Sequence, residues 1–229
     1  MTTVLFWDID STLLTTKRAG IFALEEAASE VIGQTVSLTN IETAGMTDRI
    51  IAANILKQYG LSPEPKLVDQ LLACYVNYLP KSLPRREGYV LEGVIEILDA
   101  LHDRTDVVSM LLTGNIAAGA KTKLTYYGLA DYFSDGGFSD KAETRVDIAQ
   151  QALAIASEKY GVIPSEKTYV IGDTPHDIHC GKAIGARVIA VATGKYDQES
   201  LEEHQPWWTI ASLPSSTVFM EKIGLKNEE

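Results

Sequence analysis

Cysteine is nearly absent. Cys74 and Cys180 are the two in 229 residues, without C-x-x-C spacing, so neither a disulfide framework nor a thiolate zinc site is indicated, and both are expected as small buried hydrophobes. Long apolar runs are also lacking. No run approaches the ~18 residues of a membrane span, and Asp8 interrupts the first apolar stretch before it could form the core of a signal peptide. The expected address is cytoplasmic, with no membrane partner. Positive charge is scarce: 20 Lys and Arg stand against 31 Asp and Glu, a net charge of -11. Nucleic-acid phosphates demand a basic footprint, so no nucleic-acid partner is expected. Internal repeats and low-complexity tracts are missing. The four histidines, His102, His176, His179 and His204, are too scattered to suggest a metal site or a triad.

What is there is an ordinary globular composition, 45% hydrophobic and 22% charged, long enough for one large domain or a domain with an insertion. The chain opens with Val4-Leu5-Phe6-Trp7-Asp8-Ile9-Asp10-Ser11-Thr12. The apolar run reads as a buried strand that delivers two carboxylates at its carboxyl end, where open α/β sheets bind ligands. Residues two apart on extended chain face the same way, so both acids can address one group. A D-x-D alone arises easily by chance, but two further strand ends repeat the pattern. The strand Val107 to Thr113 leads into Gly114-Asn115, and Thr168 to Ile171 into Gly172-Asp173-Thr174-Pro175-His176-Asp177.

Between the first strand and the rest, helical spacing prevails: Ile21, Leu24, Ala28 and Val31, then Ile51 and Ile55, then Leu67, Leu71, Tyr75 and Leu79. Thr47 before Asp48 suits a helix start. From Leu91 strands alternate with helices, which implies a parallel sheet covered on both faces. The last strand is expected near Trp207 to Ile210, and the segment after Pro214 reads as a short tail.

The three strand ends, taken together and in this order, resemble the haloacid dehalogenase-like (HAD) hydrolases, in the branch of small-molecule phosphatases similar to phosphoglycolate phosphatase. The resemblance runs from Val4 to about Gly194. It implies an α/β fold, a Rossmann-like parallel sheet core with a helical cap inserted after the first strand. Residues 1–14 and 88–229 are then the core and residues 15–87 the cap.

The resemblance also implies a phosphatase with Mg2+ as cofactor, acting on a small phosphorylated metabolite. Asp8 is the expected nucleophile, which forms an aspartyl-phosphate, and Asp10 the expected general acid and base. Asp8 and Asp173 are expected metal ligands, with the backbone carbonyl of Asp10, and Asp177 acts mostly through water or a basic residue. Thr113, Gly114 and Asn115 offer neutral donors to the phosphoryl oxygens. For the basic residue, Arg145 is preferred over Lys141, because it opens a helix and its fork suits an oxyanion. In the cap, Gly45-Met46-Thr47-Asp48-Arg49 is similar to a substrate-reading loop, so Thr47 and Arg49 are candidates for the non-phosphate end; a capped helix with a surface arginine is the plainer alternative. Asp10 argues against a dehalogenase, which has no use for a second acid. A phosphomutase, or a binding domain of the same fold, remains an alternative.

Overall fold

The computed structural model describes residues 2–225. Its first strand, β1 (Thr3–Trp7), is buried at all five positions. A two-residue strand, β2 (Leu14–Thr15), then leads into three helices: α1 (Ala19–Ile32), α2 (Asp48–Gln58) and α3 (Pro65–Ser82). A second short strand, β3 (Tyr89–Val90), pairs antiparallel with β2. The helical insertion therefore leaves and rejoins the rest of the chain through one two-stranded stem.

The remainder alternates: α4 (Val94–His102), β4 (Val107–Leu112), α5 (Ala117–Tyr126), β5 (Gly136–Gly137), α6 (Arg145–Tyr160), β6 (Thr168–Gly172), α7 (Pro175–Ala183), β7 (Arg187–Val191), α8 (Gln198–Glu202), β8 (Trp208–Ile210) and α9 (Ser216–Lys222). The six longer-range strands form one parallel sheet in the order β5-β4-β1-β6-β7-β8. The chain runs outward from β1 to β4 and β5, then crosses to build the other side from β6. Such a reversal of strand order opens a crevice at the carboxyl ends of the strands beside it.

Alternation along β1 sorts its side chains between two cores. Val4 and Phe6 join Met110, Leu112, Val170 and Val188 beneath α6 and α7. Leu5 and Trp7 join Leu111, Tyr169 and Ile189 with α4 and residues Phe219 to Leu225. Within the expected tail, α9 buries Phe219, whose ring stacks on Trp7 with centroids 5.8 Å apart. The three inserted helices bury their own cluster, including Leu24, Ile55, Leu71, Tyr75 and Leu79. They thus form a layer with its own apolar interior, seated over the carboxyl ends of the strands.

Candidate active site

Register brings the three polar strand ends together. Trp7 lies opposite Leu111 on β4 and Ile171 on β6, so the residues that follow each strand emerge side by side. Asp8 is held at its backbone, its N–H donating to the Ile171 carbonyl at 2.9 Å. Its carboxylate, with those of Asp173 and Asp177, presents oxygen atoms that all lie within 4.8 Å of one another. All three residues are buried.

Buried carboxylates so close together repel one another. Burial pushes Asp8 above the usual carboxylate range, against the pull of Arg145 and with the push of Asp10. Burial, then the charges of Asp8 and Asp10, push Asp173 up to about 8. Arg145 compensates part of this charge. It is the first residue of α6, behind the N-cap Thr144, and its guanidinium donates to Asp177 Oδ1 and, at 3.4 Å, to Asp8 Oδ1. Its Nε is buried without a hydrogen-bond partner among the described residues. A buried donor of this kind suits an anion arriving in the crevice. Lys141 is exposed, so of the two candidates Arg145 is the one built into the cluster.

Asp173 and Asp177 prove different in kind. Asp177 completes a capping box at the start of α7: its Oδ2 accepts from the Thr174 N–H at 3.1 Å and hydroxyl at 2.7 Å, while Oδ1 takes Arg145. With both oxygens engaged, Asp177 anchors Arg145 and the helix start instead of standing free as a ligand. Among the described residues, the side chain that donates to Asp173 is Thr12, whose hydroxyl lies at a long 3.4 Å. A Cβ at Gly194 would collide with the Asp173 carboxylate, so a glycine there leaves that carboxylate its place. A buried, under-compensated pair of hard oxygen donors fits a divalent cation such as magnesium.

Thr113 is fully buried just after β4, beside Asp8. Its hydroxyl accepts from Asn115 Nδ2 at 2.8 Å and, at 3.3 Å, from the Asn115 backbone N–H. Gly114 sits where the inserted layer touches the sheet, since a Cβ there would meet the Met46 carbonyl. Asp10 points into the same space and accepts from Asn115 Nδ2 at 2.9 Å.

One residue of this cluster was not singled out in the sequence. Lys123, on α5, is buried, and its Nζ lies 2.6 and 2.8 Å from the two oxygens of Asp10 and 2.7 Å from Asn115 Oδ1. Burial opposes its charge, but Asp10, with Tyr75 and Asp48, more than offsets this and holds the ammonium above its ordinary range. A signal existed: Lys123 falls on the same helix stripe as the buried Gly119, Ala120 and Leu124, and a lysine there is out of place unless it has partners.

The cluster floors a cleft of about 380 Å3, roofed by the loop Thr43 to Met46 and by Ile21, Leu24, Ile51 and Tyr75 of the inserted helices. Thr47 and Arg49, the candidates for the non-phosphate end, are not among the residues that line it. The Thr47 hydroxyl is used as the N-cap of α2, accepting from the Ile50 N–H at 3.2 Å. The Arg49 guanidinium turns to α3 and pairs with Asp69 at 2.8 Å. The neighbouring Asp48 is what reaches the sheet: its carboxylate accepts from the Ile116 N–H at 2.9 Å.

Relatives in sequence and structure carry matching descriptions. The pyrophosphatase PpaX of Halalkalibacterium halodurans is 25% identical over 164 residues, 71% of this chain and 73% of the relative. A predicted phosphoglycolate phosphatase from Haemophilus somnus superposes with a TM-score of 0.71 at 15% identity, covering 96% of this chain and 98% of that one. A mutant CbbY from Rhodobacter sphaeroides, in complex with xylulose-1,5-bisphosphate, superposes with a TM-score of 0.75 at 15% identity, covering 93% and 95%. Residues 4–191 match the family model of the haloacid dehalogenase-like hydrolases, and the chain belongs to that family.

Proposed function

We propose that this hydrolase is a cytoplasmic, magnesium-dependent phosphatase that cleaves a small phosphorylated metabolite through an aspartyl-phosphate on Asp8, in the manner of phosphoglycolate-phosphatase-like enzymes. The observation that carries this reading is the pairing of Asp8 with Arg145 inside a buried acid cluster that still has an under-compensated carboxylate, Asp173. An isolated acid cluster would have no use for a guanidinium whose Nε is left without a partner.

The roles follow from position. Asp8 Oδ attacks phosphorus, and the bond from phosphorus to the leaving oxygen breaks. Asp10 gives that oxygen its proton, and afterwards takes one from the water that hydrolyses the aspartyl-phosphate. Arg145, fixed by Asp177, and the donors around Thr113, Gly114 and Asn115 hold the phosphoryl oxygens. Asp8, Asp173 and the Asp10 carbonyl would hold Mg2+, with Asp177 acting through Arg145 or a bridging water. Bound there, the cation neutralises the charge between an anionic nucleophile and an anionic substrate. Residues 15–87 serve as a cap on the core of residues 1–14 and 88–229, closing the cleft against water and shaping the space for the leaving group.

The test is a turnover screen over small phosphates, with pyrophosphate, phosphoglycolate and a sugar bisphosphate among them, run with magnesium and with a chelator. Release of phosphate that needs the cation is the expected result. Undiminished release in metal-free buffer would remove the magnesium from this reading, and no release from any phosphate would remove the phosphatase itself.

A further inference from the structure

Lys123 is a buried cation on the face of a helix that otherwise packs through Gly119, Ala120 and Leu124. An apolar side chain would fill that stripe without the desolvation that an ammonium suffers, so its charge needs a reason. Its contacts supply one. Nζ has three N–H donors, and three contacts within 2.8 Å meet them, two to the carboxylate of Asp10 and one to Asn115 Oδ1. Asn115 in turn donates to Asp10 at 2.9 Å. Asp10 follows the end of β1 with a side chain 43% exposed, so packing alone does not fix its orientation; this pair of donors does.

The inserted helices close over the same ammonium. Tyr75 of α3 is fully buried beside Lys123, and Asp48 of α2 adds its charge nearby. A Cβ at Gly20 of α1 would stand 3.7 Å from Tyr75 Oη and 3.8 Å from Lys123 Nζ, so the first turn of α1 also presses close. Core and inserted layer therefore share one buried cation whose ion-pair partner is Asp10.

We propose that Lys123 is the positioning residue for Asp10, holding its carboxyl group toward the leaving oxygen and tying that orientation to the seating of residues 15–87. The inference rests on the reading of Asp10 as general acid and base. In the step concerned, the Asp10 carboxylic acid transfers its proton to the bridging oxygen. That oxygen's bond to phosphorus breaks as the bond from Asp8 forms, and the products are the free alcohol and an Asp10 carboxylate that Lys123 keeps in place. Lys123 itself exchanges no proton and does not touch the reacting atoms.

A leaving-group comparison tests this in the magnesium-loaded enzyme. The readout is kcat/KM, which reports steps up to departure of the leaving group. An alkyl phosphate needs its leaving oxygen protonated, whereas 2,4-dinitrophenyl phosphate expels a stable anion with little need of a proton. Lys123→Met keeps the apolar stem and removes the ammonium. It is expected to lose roughly 10²-fold on the alkyl phosphate, the low end of general-acid effects, and only a few-fold on the dinitrophenyl ester. Retained turnover of that ester also shows that the variant is folded. Adding Lys123→Met to Asp10→Asn should cost little more than Asp10→Asn alone on the alkyl substrate, because a positioning residue acts through the group it positions.

Equal losses on both substrates would overturn the proposal in favour of a structural role, and so would losses that multiply in the double variant. If Asp10→Asn does not itself discriminate between the two substrates, the reading of Asp10 fails first, and that outcome is seen without any Lys123 variant.

Discussion

The carboxylate of Asp48, on the first turn of α2, accepts the backbone N–H of Ile116 at 2.9 Å, immediately before α5 begins. The Asp48 N–H completes the junction by donating to the Gly114 carbonyl at 2.7 Å. One residue of the inserted layer thus grips the strand end that carries Thr113. Burial pushes its carboxyl from 3.8 up to about 6, with Lys123 pulling the other way.

A group whose folded pKa is raised favours the folded state most below its unfolded pKa and loses that contribution as pH rises through the folded value. Asp48→Asn keeps an acceptor for Ile116 and has nothing to titrate. Between pH about 4 and 6, wild type should therefore lose stability relative to Asp48→Asn. Urea unfolding of both proteins across that range measures the gap, and a gap independent of pH would show that Asp48 ionises freely in the folded protein.

Asp8→Asn should abolish turnover of every phosphate while leaving the unfolding transition cooperative, since the change is nearly isosteric and removes the attacking charge. Asp10→Asn should retain a residue of activity, about 10²- to 10⁴-fold below wild type on an alkyl phosphate. Steady-state kinetics and circular dichroism check both. A fully active Asp8→Asn protein would transfer the nucleophile elsewhere.

Arg145→Ala and Lys141→Ala should differ on two scales. The first removes the guanidinium between Asp8 and Asp177, and breaking a buried pair leaves uncompensated charge at a cost of about 3–5 kcal/mol. It should lower both activity and the unfolding midpoint. Lys141 is exposed, and its removal should change neither. The opposite ranking in activity would return the phosphate contact to Lys141.

Arg49→Ala should leave kcat/KM unchanged on phosphates with and without a second anionic group, because the guanidinium faces Asp69 outside the cleft. The pair is solvent-exposed, so stability should move by less than about 1 kcal/mol. A loss confined to substrates with a second anion would mean that Arg49 leaves Asp69 to bind them.

These contrasts show what the sequence could and could not reveal. Asp8, Thr113 and Asp173 were legible because each follows a predominantly apolar strand, and the sheet fixes where strand ends point. The helices α1 to α3 were legible from their apolar spacing. The partner of Arg49 was not legible, since the spacing gives a helix face without saying which neighbour that face meets; Asp69 lies 20 residues on, on another helix. Lys123 was hidden because its partner Asp10 is 113 residues away, and no local pattern joins them. The helix α9 went unread for a similar reason: seven residues carry little periodic signal, and what orders it is Phe219 against Trp7, a contact across the whole chain.

Metal addition offers the last prediction, and it separates the two buried acids. Asp173 is pushed up to about 8 by burial and by Asp8 and Asp10. By the same sign rule, the metal-free protein loses stability on this account as pH rises from about 4 through 8, because ionising Asp173 in the fold is harder than ionising it in the unfolded chain. A bound cation reverses the balance, and at a hundred times its dissociation constant it adds about 2.7 kcal/mol. For a chain of this length that is roughly 5–10 °C in the unfolding midpoint. Wild type should show this rise with magnesium at pH 8. Asp173→Asn should start higher than wild type in chelator, having no buried charge to hold, and should gain little from the cation. Asp177→Asn should start lower, since it strips Arg145 of its partner and α7 of part of its cap. Differential scanning calorimetry with and without magnesium reads all three, and an equal magnesium response in wild type and Asp173→Asn would place the cation away from Asp173.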